Sequence, residues 1–237
     1  MDLGIAGKVA LVTAASKGLG RGAALALARE GCRVAICARG EASLAAAAAE
    51  LGPDTLAIPA DVTDPGTPGR LVAATVDRFG GLDILVANAG GPPRARALEL
   101  DDDAVRAAVE ANLLTSIRLV REAVPHMRTA GWGRIVLITS TTIKQPIPDL
   151  AASTVARTGL WGWAKSASQD LVDDGITLNV VAPGLHATDR VRELGHTGRL
   201  GDPEDLGRVV AFLCSSSAGF VSGTALQVDG AGTLGLL

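Results

Sequence analysis

The first thirty residues carry the pattern that most restricts what this chain can fold into. Residues 8–13 (KVALVT) are mostly apolar and predict a buried strand. Residues 14–20 (AASKGLG) are small, and residues 21–30, rich in alanine and leucine, predict a helix that stops at Gly31. The start of such a helix offers free N–H groups and a positive dipole end, which suit a pyrophosphate. The usual turn has three glycines. Here Ala14 precedes Gly18 and Gly20, so a tight turn that binds nothing is the alternative.

The composition fits one α/β domain over residues 1–237, with 48% hydrophobic residues. A net charge of −3 argues against nucleic acid as the main partner. No apolar run reaches membrane-spanning length, and the N-terminus lacks the pattern of a signal peptide, so we expect no membrane partner and a cytoplasmic location. The three cysteines have neither metal-site nor disulfide spacing, so we expect no metal.

Strand and helix patterns alternate along the rest of the chain. Strands are predicted at residues 33–38, 55–59, 83–87, 134–139, 176–182 and 225–228, and helices at residues 41–51, 65–79, 101–129 and 151–172. This order predicts an α/β fold, a doubly wound, Rossmann-like parallel sheet of seven strands with helices on both faces. Sheets of this kind bind ligands at the carboxyl ends of their strands, where the strand order reverses.

Several short motifs, in order and spacing, resemble the short-chain dehydrogenase/reductase family, close to its 3-oxoacyl-carrier-protein reductase-like branch. They are residues 13–20, Asp61-Val62, Asn88-Ala89-Gly90, Asn112, Ser140, Pro183-Gly184 with Thr188, and residues 199–204 through 228–230. The resemblance covers nearly the whole chain and implies a nicotinamide dinucleotide cofactor. The residues expected to contact it are Thr13, Ser16, Lys17, Gly18, Leu19, Gly20, Arg39, Asp61, Val62, Asn88, Gly90, Arg157, Pro183, Gly184, His186 and Thr188.

The end of the second strand indicates which dinucleotide is bound. An acidic residue there would bind the ribose 2′-hydroxyl and repel a 2′-phosphate. This chain has Ala38 followed by Arg39, and Lys17 can reach the same place, so we predict NADP(H). Two solvated surface charges are the alternative. Asp61 would lie beside the adenine by resemblance, or it would cap the following helix.

The catalytic pattern of the resemblance is broken. Such enzymes use a serine, a tyrosine that donates the proton, a lysine four places later and an asparagine. Ser140 and Asn112 match, but Ser153 and Arg157 stand at the tyrosine and lysine places, and the chain contains no tyrosine. A serine hydroxyl is a poor general acid, and an arginine keeps the charge and could hold the ribose but cannot relay a proton. Ser140 and Ser153 could polarise a substrate oxygen, or the two substituted positions could be plain helix surface or scaffolding.

Three nearby residues are candidate replacements for the missing acid. Lys144 and Asp149 fall in the loop between Ser140 and Ser153, and His186 follows Pro183-Gly184, where an imidazole can donate a proton near neutral pH. Each has a plainer interpretation: a solvated cation for Lys144, a helix cap for Asp149, and a loop residue that uses only its backbone for His186.

The leading hypothesis is an NADPH-dependent oxidoreductase of altered mechanism that acts on a carbonyl or imine of a small-molecule or carrier-bound substrate. A non-redox isomerase, cyclase or dehydratase on the same fold, or an inactive NADP(H)-binding sensor or partner subunit, are the alternatives. Four arginines on the predicted substrate loops, residues 91–97 and 188–198, would favour an anionic or carrier-bound substrate unless they are merely solvated; they are Arg94, Arg96, Arg190 and Arg192. The apolar helix with Trp161 and Trp163, and the apolar run 233–237, predict a homotetramer or, failing that, a homodimer.

Overall fold

Seven parallel strands form one twisted sheet in the computed structural model, which describes residues 2–193, 195–196 and 198–235. The strands are β1 (Val9–Val12), β2 (Arg33–Ala38), β3 (Leu56–Pro59), β4 (Ile84–Ala87), β5 (Gly133–Ile138), β6 (Ile176–Pro183) and β7 (Ala225–Val228). Their order across the sheet is β3-β2-β1-β4-β5-β6-β7. The predicted seven-stranded parallel sheet is therefore confirmed, and the strand order reverses between β1 and β4.

Within the described residues, eight α-helices connect these strands. They are α1 (Gly18–Arg29), α2 (Glu41–Leu51), α3 (Thr67–Phe79), α4 (Asp102–Val109), α5 (Thr115–Ala130), α6 (Ala151–Leu171), α7 (Asp189–Glu193) and α8 (Pro203–Leu213). The single helix predicted over residues 101–129 is instead α4 and α5 joined by a π-helical turn, Glu110–Leu114. The helices α7 and α8 were not predicted, although Asp202 accepts a hydrogen bond from the Glu204 N–H as the α8 N-cap and Pro203 follows it.

Alternate residues of each strand pack into separate cores on the two faces of the sheet. In β1, Ala10 and Val12 pack beneath α1, α2 and α8, whereas Val9 and Leu11 pack beneath α3, α5 and α6. This period of two is what a strand buried on both faces requires, and it explains why the strands are continuously apolar in sequence. Helices therefore cover both faces, as predicted.

Two glycines set the distance between α1 and α8. A Cβ atom on Gly207 would overlap the carbonyl oxygen of Gly22, and one on Gly22 would overlap that of Pro203. The helix backbones are thus in direct contact, and α8 fixes the position of the helix that starts at the predicted anion-binding turn.

The described residues include no helix with the length and hydropathy to cross a bilayer. Within the same residues no cluster of three or more histidine, cysteine or acidic side chains could hold a metal ion. Leu194 and Thr197 of the predicted substrate loop, and Leu236 and Leu237 of the apolar C-terminal run, lie outside the described residues.

Candidate active site

The turn between β1 and α1 is anchored to the end of β4. The Thr13 Oγ1 donates to the Asn88 carbonyl at 2.8 Å and accepts from the Asn88 N–H at 2.9 Å. The Asn88 Nδ2 donates to the Ala14 carbonyl at 3.3 Å. Ala14 has a φ of +48°, a left-handed conformation that favours glycine, at the place where the usual turn has its first glycine. The strand order reverses here, so these bonds hold the turn at the ligand-binding edge of the sheet.

The same turn has no room for larger side chains and leaves the first amides of α1 available. A Cβ on Gly20 would lie 2.5 Å from the Ala14 carbonyl oxygen and 2.8 Å from the Asn88 Nδ2, and Gly18 has a φ of +61°. Lys17 is the N-cap residue of α1, and its side chain forms no hydrogen bond to the first N–H groups of the helix. Ser16 and Leu19 beside it are half-buried. Main-chain N–H groups without a hydrogen-bond partner, at the start of a helix that follows a tight glycine turn, are suited to the pyrophosphate of a dinucleotide.

Arg39 lies at the end of β2, whereas Lys17, the second cation considered for this place, forms its ion pair with α7 instead. Arg39 directly follows Ala38, its side chain is 82% exposed, and its closest acidic partner is Asp61 at 3.9 Å. Lys17 is paired with Asp189 of α7 at 3.4 Å. Both pairs are exposed and therefore weak, so a phosphate group could compete for either cation. The Val62 side chain is half-buried against the core under α3.

Asp61 does not cap the helix that follows it. The N-cap of α3 is Gly66, and the Asp61 carboxylate instead accepts from the Thr63 N–H at 3.0 Å and from its hydroxyl at 2.8 Å. These two hydrogen bonds, with a smaller contribution from Arg39, lower the pKa of Asp61. The cap interpretation is wrong, and the carboxylate is held in the turn that follows β3.

The segment after β6 reaches the turn between β1 and α1. A Cβ on Gly184 would lie 2.7 Å from that of Asp229, and the Gly184 N–H donates to the Val228 carbonyl, which ties Pro183-Gly184 to β7. A Cβ on Gly18 would lie 3.4 Å from the Thr188 methyl group. The structure therefore brings Thr188 to the turn, while Asn88 and Gly90 lie beyond the neighbouring strand end.

The positions of the broken catalytic pattern meet at the end of β5. Ser140 follows this strand, and its Oγ accepts from the Thr142 N–H at 3.2 Å. Ser153 and Arg157 lie one turn apart on the buried face of α6. The Arg157 Nη1 donates to the Thr139 carbonyl at 2.5 Å and to the Ile138 carbonyl at 3.3 Å. Ser153 and Arg157 are therefore not helix surface, and the guanidinium is bonded to the two main-chain carbonyls that precede Ser140.

Unpartnered polar atoms surround the first half of α6. Five buried side-chain nitrogen or oxygen atoms have no hydrogen-bond partner among the described residues, and four belong to Asn112, Thr142 and Arg157. Asn112 is in the π-helical turn, which packs against α6, as does the short turn that holds Thr142. Buried polar groups rarely remain unpaired, so this cluster indicates a place for a polar ligand or water. No sequence pattern pointed to Thr142.

The comparisons with known proteins agree along the whole chain. Residues 13–233 match a family profile described as enoyl-(acyl carrier protein) reductase. The 3-oxoacyl-[acyl-carrier-protein] reductase of Vibrio cholerae is 33% identical over an alignment 239 residues long, which covers 96% of this chain and 98% of that protein. The chain belongs to the short-chain dehydrogenase/reductase family.

Solved structures of the family have the same fold. L-sorbose reductase from Gluconobacter frateurii, complexed with NADPH and L-sorbose, is 32% identical with a TM-score of 0.92, covering 99% of this chain and 100% of its own. A variant of actinorhodin polyketide ketoreductase with NADPH is 34% identical with a TM-score of 0.89, covering 94% of this chain and 96% of its own. The matched family profile and these relatives are reductases, so this short-chain dehydrogenase/reductase is an enzyme of the reductase and dehydrogenase class.

The three candidate replacement acids of this short-chain dehydrogenase/reductase are all engaged in other contacts. The Asp149 carboxylate accepts from the Arg94 Nε at 2.6 Å, and the Lys144 ammonium lies 6.0 Å from the centre of the Trp161 ring. His186 is buried. Its Nδ1 lies 3.1 Å from the Gly184 carbonyl oxygen, and its ring packs against Gly201. The N-cap of α6 is Leu150, so Asp149 is not the predicted cap. These contacts favour structural roles for all three.

Proposed function

We propose that this protein is an NADP(H)-dependent oxidoreductase that transfers hydride between the cofactor and a carbonyl or imine carbon of a small-molecule or carrier-bound substrate. The observation that carries the proposal is the turn around Gly20, whose close packing and free α1 amides suit a dinucleotide. The relatives support it: one is a 3-oxoacyl-[acyl-carrier-protein] reductase, and another is an L-sorbose reductase complexed with NADPH. When bound, the cofactor supplies or accepts the hydride.

The residues of this chain would act on the substrate oxygen or nitrogen without a tyrosine acid. Ser140 and Ser153 would donate neutral hydrogen bonds to it, and the Arg157 guanidinium, which is bonded to the Thr139 carbonyl, would stabilise negative charge that develops there. Burial, and secondarily the charge of Arg190, lowers the pKa of Arg157 to about 10, so the group stays protonated near neutral pH. An iminium substrate arrives already protonated and needs no acid, so we expect imines to react faster than ketones.

The test is to incubate the purified protein with NADPH and a panel of ketones, imines and enones while following cofactor absorbance. Oxidation of NADPH by at least one imine or ketone supports the proposal. The absence of tyrosine and lysine from their expected places favours a second candidate, a non-redox isomerase, cyclase or dehydratase. Turnover of substrate with no net change in NADPH would identify that second function and exclude the first.

We expect Arg39→Ala to weaken NADPH binding about tenfold while NADH binding changes less than twofold. Arg39 is 82% exposed with only a weak acidic partner, so a 2′-phosphate would gain a charge-assisted contact that NADH lacks. Fluorescence titration with both cofactors measures this. Arg208→Ala is the control, because this arginine of α8 is also exposed and paired with a nearby acid, Asp205. Tighter binding of NADH by the natural chain would contradict the preference for NADP(H).

We also propose a homotetramer or, failing that, a homodimer formed through α5 and α6. Val155 of α6 is 50% exposed, and half-buried Trp163 lines a cleft of about 290 Å³ together with Val124 and Pro125 of α5. Leu234, near the chain end, is 86% exposed. Apolar and aromatic surface of this kind is typical of subunit contacts. Light scattering at micromolar concentration measures the mass, and a value near the single-chain 24.0 kDa would contradict the proposal.

A further inference from the structure

The segment that follows β7, residues 229–234, is built around one carboxylate. The Asp229 carboxylate accepts from the Ala231 N–H at 3.1 Å and from the Thr233 N–H at 2.9 Å. Burial alone would raise the pKa of Asp229, but hydrogen bonds from Thr233, Ala231 and Gly232 outweigh it and lower the pKa. Ala231 has a φ of +67°, a conformation that a residue with a side chain keeps only where its surroundings enforce it. The segment therefore has a defined conformation.

The 229–234 segment contacts two parts of the candidate site. At its start, the Gly184 N–H donates to the Val228 carbonyl at 3.0 Å, and a Cβ on Gly184 would lie 2.7 Å from that of Asp229. At its other end, the Leu234 N–H donates to the Gln145 Oε1 at 2.8 Å. Gln145 lies in the loop after β5, and β5 and β6 are neighbours in the sheet, so the segment joins the loops that follow these two strands.

Gln145 ends the short turn that begins with Ser140. The Gln145 N–H donates to the Thr141 carbonyl at 2.9 Å, and the other main-chain hydrogen bonds of residues 141–145 are equally local. Among the described residues, the bond from the Leu234 N–H is the one hydrogen bond that ties this turn to a distant part of the chain. The contact therefore links the conformation of the turn to that of the segment after β7.

We propose that Gln145 is a positioning residue of the active site: the 229–234 segment holds its side chain, and Gln145 thereby holds the turn that begins with Ser140. The proposal rests on the proposed function, in which Ser140 donates a hydrogen bond to the substrate. The Ser140 Oγ accepts from the Thr142 N–H at 3.2 Å, so the conformation of the turn determines where its hydroxyl proton can point. Displacing such a group by about 1 Å can cost about 100-fold in rate, and this chain has no tyrosine to compensate.

The first experiment measures hydrogen exchange by mass spectrometry in peptides that cover residues 141–145. Gln145→Met is similar in size but cannot accept from the Leu234 N–H, so these amides should exchange at least about tenfold faster. Leu234→Pro removes the donor and should have the same effect, whereas Leu234→Ala keeps the N–H and should retain the natural exchange rate. Gln145→Glu restores an acceptor and should restore the protection. Gln169→Met, the same substitution at an exposed glutamine of α6, is the control.

The second experiment uses a ketone or imine that oxidises NADPH in the substrate panel. Gln145→Met should lower kcat about tenfold, because Ser140 is no longer held in place, and should leave NADPH affinity within about twofold. Gln145→Glu should recover most of the lost rate. A role of Gln145 confined to fixing residues 229–234 would leave kcat unchanged, so the rate separates positioning of the site from a purely structural contact.

Unchanged exchange of residues 141–145 in Gln145→Met would overturn the proposal, because packing of Ile143 against the core would then suffice to hold the turn. Faster exchange confined to residues 229–234, or faster exchange of the turn with unchanged kcat, would overturn it as well. Failure of the proposed function is a separate result: a protein that shows the expected exchange pattern but never oxidises NADPH keeps the positioned turn and loses the redox activity.

Discussion

A Ser153→Tyr, Arg157→Lys double variant should reduce simple ketones about 100-fold faster than the natural chain. Both positions are buried on α6 at the end of β5, next to Ser140, so a phenol at 153 would enter the place where the family resemblance implies the proton donor. A phenol near pKa 10 is lowered towards working pH by an adjacent ammonium, and a positioned general acid contributes on the order of 100-fold or more. Initial rates of NADPH oxidation measure the gain.

Two further variants separate acid catalysis from changes in shape. Ser153→Phe with Arg157→Lys adds the same ring without its hydroxyl and should show no gain. Arg157→Lys alone restores the amine without an acid and should also leave the ketone rate unchanged. If the phenylalanine variant matched the tyrosine variant, the missing phenol would not be what limits ketone reduction in this protein.

Gly20→Ala should weaken NADPH binding by at least about tenfold. The new Cβ would lie 2.5 Å from the Ala14 carbonyl oxygen and 2.8 Å from the Asn88 Nδ2, so the main chain of the turn has to move. Overpacking of this kind costs about 1–3 kcal/mol, and here it falls on the peptide groups that would receive the pyrophosphate. Fluorescence titration measures the affinity, and thermal unfolding measures the accompanying loss of stability.

The matched control is Gly162→Ala. Gly162 is also a helical glycine, but a Cβ atom there would meet no atom within 4 Å. Alanine at this site should raise helix propensity by about 1 kcal/mol and leave NADPH affinity unchanged. NADPH binding by Gly20→Ala at the natural affinity would show that the turn is not part of the cofactor site.

Strand positions could be predicted closely because the strands are short, mostly apolar runs between clear turn and helix signals. The bounds of β2 and β7 agree with the apolar runs 33–38 and 225–228, and α2 agrees with its alanine-rich segment 41–51. The helix α8 was missed because Gly207 lowers its helix propensity. That glycine is needed where α8 crosses α1, which is a tertiary requirement with no local signal.

The order of motifs located the candidate site, but not the directions of its long side chains. Ser140, Asn112, Ser153 and Arg157 lie around the first half of α6, as the family resemblance implied. An arginine or lysine reaches acceptors from distant parts of the chain, and nothing near it in sequence specifies which one. The sequence therefore left Arg157 open between surface and site. It also allowed Lys144 to be a catalytic candidate, whereas its ammonium lies over Trp161.

The short helix α7 reaches both halves of the site, and this affects the order of the kinetic steps. Thr188, just before it, covers Gly18 of the dinucleotide turn, and Arg190 contacts Gly91 across the cleft. On the other side, the Ala95 N–H donates to the Asp149 carbonyl at 3.0 Å and joins the two loops there through the main chain. Exposed side-chain contacts break at lower cost in free energy than main-chain hydrogen bonds, so we expect the cleft to open on the α7 side. Cofactor and substrate would then use the same entrance beneath α7. A dinucleotide bound beneath the substrate would then enter first and leave last.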